Sequence, residues 1–224
     1  MLQCGSEFAY NYCTLYETKT YMPLRILLFT AIIFPLMVFS QANYKAGYVI
    51  TDAGDTLKGL INYLEWDNNP STIKFQQQPG TTVASITAAT VKEVGISGFG
   101  VYQRFVVPVT MFKVNVESIS DTANTPSLSK ALFLKLLLKG DRLNLYSYSD
   151  NIKMRFYVLN NKKTTPEELL IIRTRQDMQE QTHDVYRLQL LQIAAQLGAY
   201  TSKLESQMQS VNYSENSLRN AISA

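Results

Sequence analysis

Beyond residue 13 this chain of 224 residues contains no cysteine; Cys4 and Cys13 are the two it has. Everything downstream must hold without disulfides, and thiolate nucleophiles and cysteine-ligated metals are excluded there together. Histidine is nearly as scarce. The single one, His183, stands beside Asp184 in a polar joint before a helical pattern. A Ser-His-Asp device would have to use it, and the bland reading, a structural or solvent-exposed histidine, is preferred. One histidine without cysteine leaves only carboxylates for a metal, so neither metal nor cofactor is expected. Charge of either sign is sparse as well: 21 basic residues against 18 acidic give +3, and no basic run exceeds Lys162-Lys163. That balance gives no electrostatic footprint for nucleic acid.

One long apolar run is present, and it lies inside the sequence. Between Met22 and Gln41 the chain reads MPLRILLFTAIIFPLMVFSQ. Arg25 leads into fourteen residues from Ile26 to Phe39, which end in the small and polar Ser40, Gln41 and Ala42. This is the order of a secretory signal peptide. As a helix the run spans about 21 Å, short of the roughly 30 Å hydrocarbon core, and Pro35 opposes a smooth span. The expectation is therefore a start at Met22, with residues 1–21 an upstream leader or mis-assigned start, residues 22–41 a cleaved signal, and an exported product in the periplasm or outer membrane. The alternative is an uncleaved helix between Leu24 and Phe39 that anchors the chain to a membrane. Residues 1–41 carry Lys19 and Arg25 against Glu7 and Glu17, so the exported part keeps +3, with 19 basic and 16 acidic residues.

After the run the periodicity becomes two. Tyr48 to Thr51 and Thr56 to Tyr63 flank Asp52-Ala53-Gly54-Asp55, with Leu57, Ile61 and Tyr63 on one face. Gly54 supplies a positive φ and Asp55 suits turn hydrogen bonding, so a β-hairpin is expected. Asp52 and Asp55 lack the further oxygen ligands of a calcium loop. Glu65 to Ser71 reads as a polar turn around the only tryptophan, Trp66. Thr72 to Gln76 reads as a strand, residues 76–82 as a loop, Thr90 to Glu93 as a helical turn, and Gly95 to Gly100 as a loop. Strands are expected over Val101 to Val107 and Met111 to Val116, separated near Pro108, with a loop from Ser118 to Ser129. Ala131 to Lys139, Leu143 to Tyr148 and Lys153 to Leu159 form a β-meander.

In the last third the pattern turns helical. Thr165-Pro166-Glu167-Glu168 resembles a helix start, yet Leu169 to Ile172 suits a strand equally, and the segment stays open. Tyr186, Leu190, Ile193 and Leu197 share one helical face, which Gly198 ends. Leu204, Met208 and Val211 suggest a second helix, and Ser214 can cap a third carrying Leu218 and Ile222. The spacing is too short for a coiled coil and predicts packing on the sheet. The fold class expected is α+β: an antiparallel β-rich domain, hairpin plus meander, over 43–160, followed by a mainly helical segment over 161–224 with two or three helices packing on it.

Catalytic groups do not assemble from the sequence. Gly98-Phe99-Gly100 lacks the third glycine or the Lys-Ser/Thr of a phosphate loop. Glu167 and Glu168 point to opposite sides in helix or strand. Aromatics are the one binding hint: Tyr44, Tyr48, Tyr63, Trp66, Tyr102, Tyr146, Tyr148 and Tyr157 are dense for so few strands, although core filling is their default role. Tyr63, Trp66 and Asn69 are the candidate partner-binding residues, and Gly54, Asp55 and Gly59 the structural turn residues. Against the binding role stands Trp66 as a plug at one end of the sheet.

The stretch from Gly47 to Phe75 carries Gly47-Tyr48, Gly54-Asp55-Thr56, Lys58-Gly59, Trp66 and Asn69-Pro70 in order. It resembles the N-terminal region of a group of exported Bacteroidota envelope proteins of unknown function. Phe133-Leu134, Leu145-Tyr146 and the residues from Tyr213 to Leu218 resemble the same group. Members of that group often continue into an outer-membrane β-barrel; here no run of eight or more such strands follows, so the barrel is absent or the copy is shortened. The resemblance implies an envelope role with an unknown envelope protein or outer-membrane component as partner. The function expected is thus a non-enzymatic binding or assembly module associated with the outer membrane. The alternative is a membrane-anchored structural protein, and an exported hydrolase ranks below both.

Overall fold

Strand β1 (Tyr44–Thr51) and strand β2 (Thr56–Asn62) pair antiparallel from Tyr44↔Asn62 to Ile50↔Thr56, as the alternation predicts. The turn between them closes with Gly54 N–H donating to the Thr51 carbonyl at 3.1 Å and Thr51 N–H donating to that of Asp55 at 3.0 Å. Gly54 sits at φ 98°, in the region that side chains resist. The computed structural model describes residues 43–111, 127–176 and 179–223. The segment between Leu24 and Phe39 and both cysteines lie outside them. All described elements belong to one unit, 42–224.

Eight further strands join the hairpin: β3 (Thr72–Gln76), β4 (Ala84–Thr87), β5 (Val91–Ile96), β6 (Gly100–Thr110), β7 (Ser127–Leu138), β8 (Leu143–Ser149), β9 (Met154–Asn160) and β10 (Glu167–Leu169). They form a ten-stranded antiparallel sheet in the order β10-β9-β8-β7-β6-β5-β1-β2-β3-β4. A separate hairpin follows, β11 (Ile172–Gln176) with β12 (Gln179–His183). Three helices close the described chain: α1 (Val185–Gln196), α2 (Ser202–Met208) and α3 (Glu215–Ser223). The fold is α+β, as expected.

Several local expectations change. Residues Thr90 to Glu93 form no helical turn. A tight turn at Thr87–Thr90, with Thr90 N–H donating to the Thr87 carbonyl at 3.0 Å, starts β5 at once, and Val91 and Val94 alternate into the core. Pro108 does not divide β6, which runs unbroken to Thr110. Beyond Gln103 the partner β5 has ended and only β7 pairs with β6, so the missing proline N–H faces a side without a ladder. Met111 follows β6, while 112–116 lie outside the described residues; Ser127 to Ser129 belong to β7 rather than to a loop. Gly59 is no turn residue. It lies within β2 opposite Gly47, where a Cβ would stand 2.7 Å from the Phe75 ring. The open segment after Thr165 is strand β10, and strands up to His183 precede the helices, so 161–224 is less helical than expected. Period two decides this: Glu168 and Leu169 are both buried, on opposite faces.

Registers divide the sheet into faces. Val49, Val94 and Tyr102 are successive cross-strand partners and, with Ile61, Ile73, Phe75 and Phe133, fill one core. On β8 to β10, Leu145, Phe156, Val158 and Leu169 are covered by Tyr186, Leu190 and Ile193 of α1, with Met208, Val211 and Leu218 beside them. Packing on the sheet, expected for that helical face, is what α1 does. Gly198, at φ 70°, ends it, and Val211 falls past α2. The opposite face buries Tyr146, Tyr157, Leu134, Val107 and Val109.

Replacing Gly54 by valine forces a β-branched residue to positive φ, at roughly 1–2 kcal/mol. Urea unfolding of Gly54→Val should show that loss, and Gly54→Asn, which tolerates the conformation better, should lose less. Equal stability of all three proteins would contradict the turn geometry.

Candidate functional site

The loop after β2 begins with Tyr63, whose N–H donates to the Asn43 carbonyl at 2.9 Å. Leu64 is then left 60% exposed. Glu65 adopts φ 50°, the only positive φ of a non-glycine residue among those described. Such a backbone is costly and persists only where its surroundings hold it. The hold comes four residues on. Asn69 Nδ2 donates to the Phe133 carbonyl at 2.8 Å, and its Oδ1 accepts from Ser149 N–H at 3.0 Å. Asn69 N–H in turn donates to the Ser149 carbonyl at 2.9 Å. Asn68 adds a bond from Nδ2 to Asn151 Oδ1 at 2.8 Å. The loop that follows β2 is thus strapped to the middle of β7 and the end of β8.

Between strain and strap sits Trp66, half-buried. Its ring meets Tyr63 edge-on at 5.0 Å and Tyr102 edge-on at 5.4 Å. Tyr63 also tilts against Phe99 at 4.6 Å, and Lys45 Nζ stands 5.4 Å from the Phe99 ring centre. Gly98, at φ 80°, makes the turn that brings Phe99 to the surface. The result is a ledge that grades from buried to open: Tyr102 inside, Tyr63 and Trp66 midway, Phe99 outside, with Lys45 at the rim. Burial raises the Tyr102 phenol above the ordinary tyrosine range, with Tyr63 adding to the effect, so it stays neutral. Each edge-on pair contributes about 0.5–1.5 kcal/mol beyond its buried area. The ledge offers apolar area and a cation–π site. It carries no nucleophile.

Of the three candidate binding residues, Tyr63 and Trp66 come together and Asn69 does not. Its amide is wholly engaged in the strap. Phe99, Lys45 and Leu64 went unnoticed in the sequence. Phe99 was hidden by its flanking glycines, which read as loop punctuation; an aromatic at a glycine-flanked tip is itself a surface signal. The wider set of aromatics divides as well, for Tyr102, Tyr146 and Tyr157 are buried.

The acidic candidates are bound elsewhere. Glu167 pairs with Lys163 at 2.6 Å on the surface. Glu168 is 6% exposed and accepts from Thr110 N–H at 3.1 Å and from the Thr110 hydroxyl. Asp52 pairs with Arg104 at 2.7 Å, and Asp55 stays in its exposed turn. Glu93 accepts from the Tyr48 hydroxyl at 2.6 Å and from Gln103 Nε2 at 2.7 Å; burial and this carboxylate push the Tyr48 phenol up to about 12. His183 is exposed on β12. Among the described residues, no three metal-capable side chains gather.

Trp66→Ala should cost about 3 kcal/mol in urea unfolding, the lower end for truncating a core tryptophan, because the ring is half-buried. Phe99→Ala and Leu64→Ala should stay within about 1 kcal/mol of the parent. The reverse ranking would mean that Trp66 is the exposed contact and Phe99 the support.

Comparison with family models, with curated proteins and with solved structures finds no match for this chain.

Proposed function

We propose that this chain is a non-enzymatic, exported cell-envelope protein, a binding or assembly module associated with the outer membrane, and that its partner docks on the ledge of Phe99 and Lys45 backed by Trp66 and on the exposed Leu64 of the Trp66 loop. The observation that carries the reading is the exposure of two large apolar side chains: Leu64, at 60%, on the loop held by the Asn68-Asn69 strap, and Phe99, at 39%, in the turn between β5 and β6, its ring packed on Tyr63 of that loop. Large apolar side chains on a rigid mount lose little entropy on docking, which is the economy of an interface anchor. The partner fitting it is an envelope protein that presents an apolar side chain beside an acidic one, the latter for Lys45.

Export rests on the signal-like segment from Met22 to Gln41 and on the resemblance of Gly47 to Phe75 to Bacteroidota envelope proteins. No helix among the described residues is long and apolar enough to cross a membrane. The carboxylates an exported hydrolase would need, Glu93 and Glu168, are engaged in internal hydrogen bonds.

The test is expression of the tagged full chain in a Bacteroidota host, with envelope fractionation, N-terminal sequencing and cross-linking. The expected product begins near Gln41 or Ala42, washes off membranes with carbonate, and cross-links to an envelope protein in a band that Leu64→Asp and Phe99→Ala remove. A cytoplasmic protein with Met1 intact would overturn the reading. Retention in the carbonate pellet with residues 24–39 attached would favour the anchored alternative instead.

A further inference from the structure

A second surface feature is independent of the ledge. Helix α1 stops at Gly198, whose φ of 70° turns the chain away, and α2 restarts under its own cap, with Leu204 N–H donating to Thr201 Oγ1 at 3.1 Å. This sharp corner leaves part of the helical layer uncovered. Between α1, α2, the end of α3 and the β7–β8 turn lies a groove of about 820 Å³. Its floor and lips are Leu138, Leu190, Ile193, Leu197, Leu204 and Ile222. Leu190 and Ile193 are 5% and 4% exposed, while the other four are only half-buried. A volume of that size, with an apolar floor and polar side chains around it, belongs to the range of small-molecule sites.

The polar groups are sorted by charge. Lys139, Arg142 and Lys203 line the rim, and Asp141 is the only acid there. Lys139 and Lys203 are exposed and make neither ion pair nor hydrogen bond among the described residues. Arg142 gives Nη1 to the Leu197 carbonyl at 3.3 Å, and its other guanidinium nitrogens make no hydrogen bond or ion pair among the described residues. An occupant must therefore be apolar along its length and anionic at one end. We infer that the groove binds a single-chain amphiphile with an acidic headgroup, of the long-chain fatty-acid class, its chain along the leucine floor and its carboxylate between Lys139 and Lys203.

Isothermal titration of the full chain with dodecanoate, and with dodecanol as the uncharged probe, reads both halves of this inference. Dodecanoate should bind saturably with 1:1 stoichiometry and several-fold more tightly than dodecanol. Ala194→Trp, which fills the groove from a half-buried helix position, should weaken both probes at least tenfold. The double variant Lys139→Glu, Lys203→Glu should weaken dodecanoate about tenfold and leave dodecanol unchanged. The two lysines are exposed, so this arm does not depend on tolerance of the tryptophan. Absence of saturable binding to the parent, unchanged dodecanoate affinity in the lysine variant, or parental affinity in a folded Ala194→Trp protein would each overturn the inference.

Discussion

Arg155 is fully buried and does not float there. Its Nε and Nη2 donate to the Thr110 carbonyl at 3.0 and 2.6 Å, and Nη1 donates to Asp150 Oδ1 at 2.9 Å. Thr110 then donates its own N–H, and its hydroxyl, to Glu168, whose Oε1 stands 3.9 Å from Arg155 Nε. Tyr157 closes the set by donating to the Pro108 carbonyl at 3.1 Å. Through Thr110 the end of β6 meets β9 and β10, a neighbouring pair from which two strands separate it in the sheet. The long sheet curls at this point, and the core of Tyr146, Tyr157, Leu134, Val107 and Val109 lies on the same face. A buried guanidinium is tolerable only because its donors find acceptors. Burial alone would raise the Asp150 carboxyl; the bond from Arg155, with the N–H groups of Lys153 and Ile152, outweighs it and holds the group below its usual value.

The other half of the sheet is arranged by the absence of side chains. Gly47, Gly59 and Gly95 stand where β1, β2 and β5 carry their neighbours across the strands. A Cβ on Gly95 would fall 2.1 Å from the Tyr48 ring, and one on Gly47 would fall 2.6 Å from Ile61 Cδ1. Tyr48 lying over Gly95 delivers its hydroxyl to Glu93, which continues through Gln103 to the Tyr146 hydroxyl at 2.8 Å. One polar chain therefore links the glycine-rich half to the curled half. The strap of Asn69 links them again, from the loop after β2 to β7 and β8. The ledge inherits its rigidity from both ties.

Much of this was legible where the cause is local. Alternation and Gly54 located the first hairpin, and Thr72 to Gln76 coincides with β3. The meander strands agree within one residue at most ends, except β7, which starts earlier. Tyr186, Leu190 and Ile193 declared the face of α1. What stayed illegible depends on residues far apart in the chain. Nothing near Pro108 says that β5 stops short beside it. Nothing near Arg155 announces Thr110, 45 residues away. The aromatic cluster draws on Tyr63, Trp66, Phe99 and Tyr102, so reading one loop names Tyr63 and Trp66 but neither Phe99 nor the bonds that tie Asn69 to β7 and β8.

The central claim is that the curled half of the sheet depends on the buried guanidinium. Urea unfolding of Arg155→Met tests it against Arg104→Met, which removes the partly exposed pair with Asp52. Loss of Arg155 leaves Glu168 and the Thr110 carbonyl without their cation and should cost about 3–5 kcal/mol, whereas loss of Arg104 should cost no more than about 1 kcal/mol. Equal, small losses from the two substitutions would contradict the account.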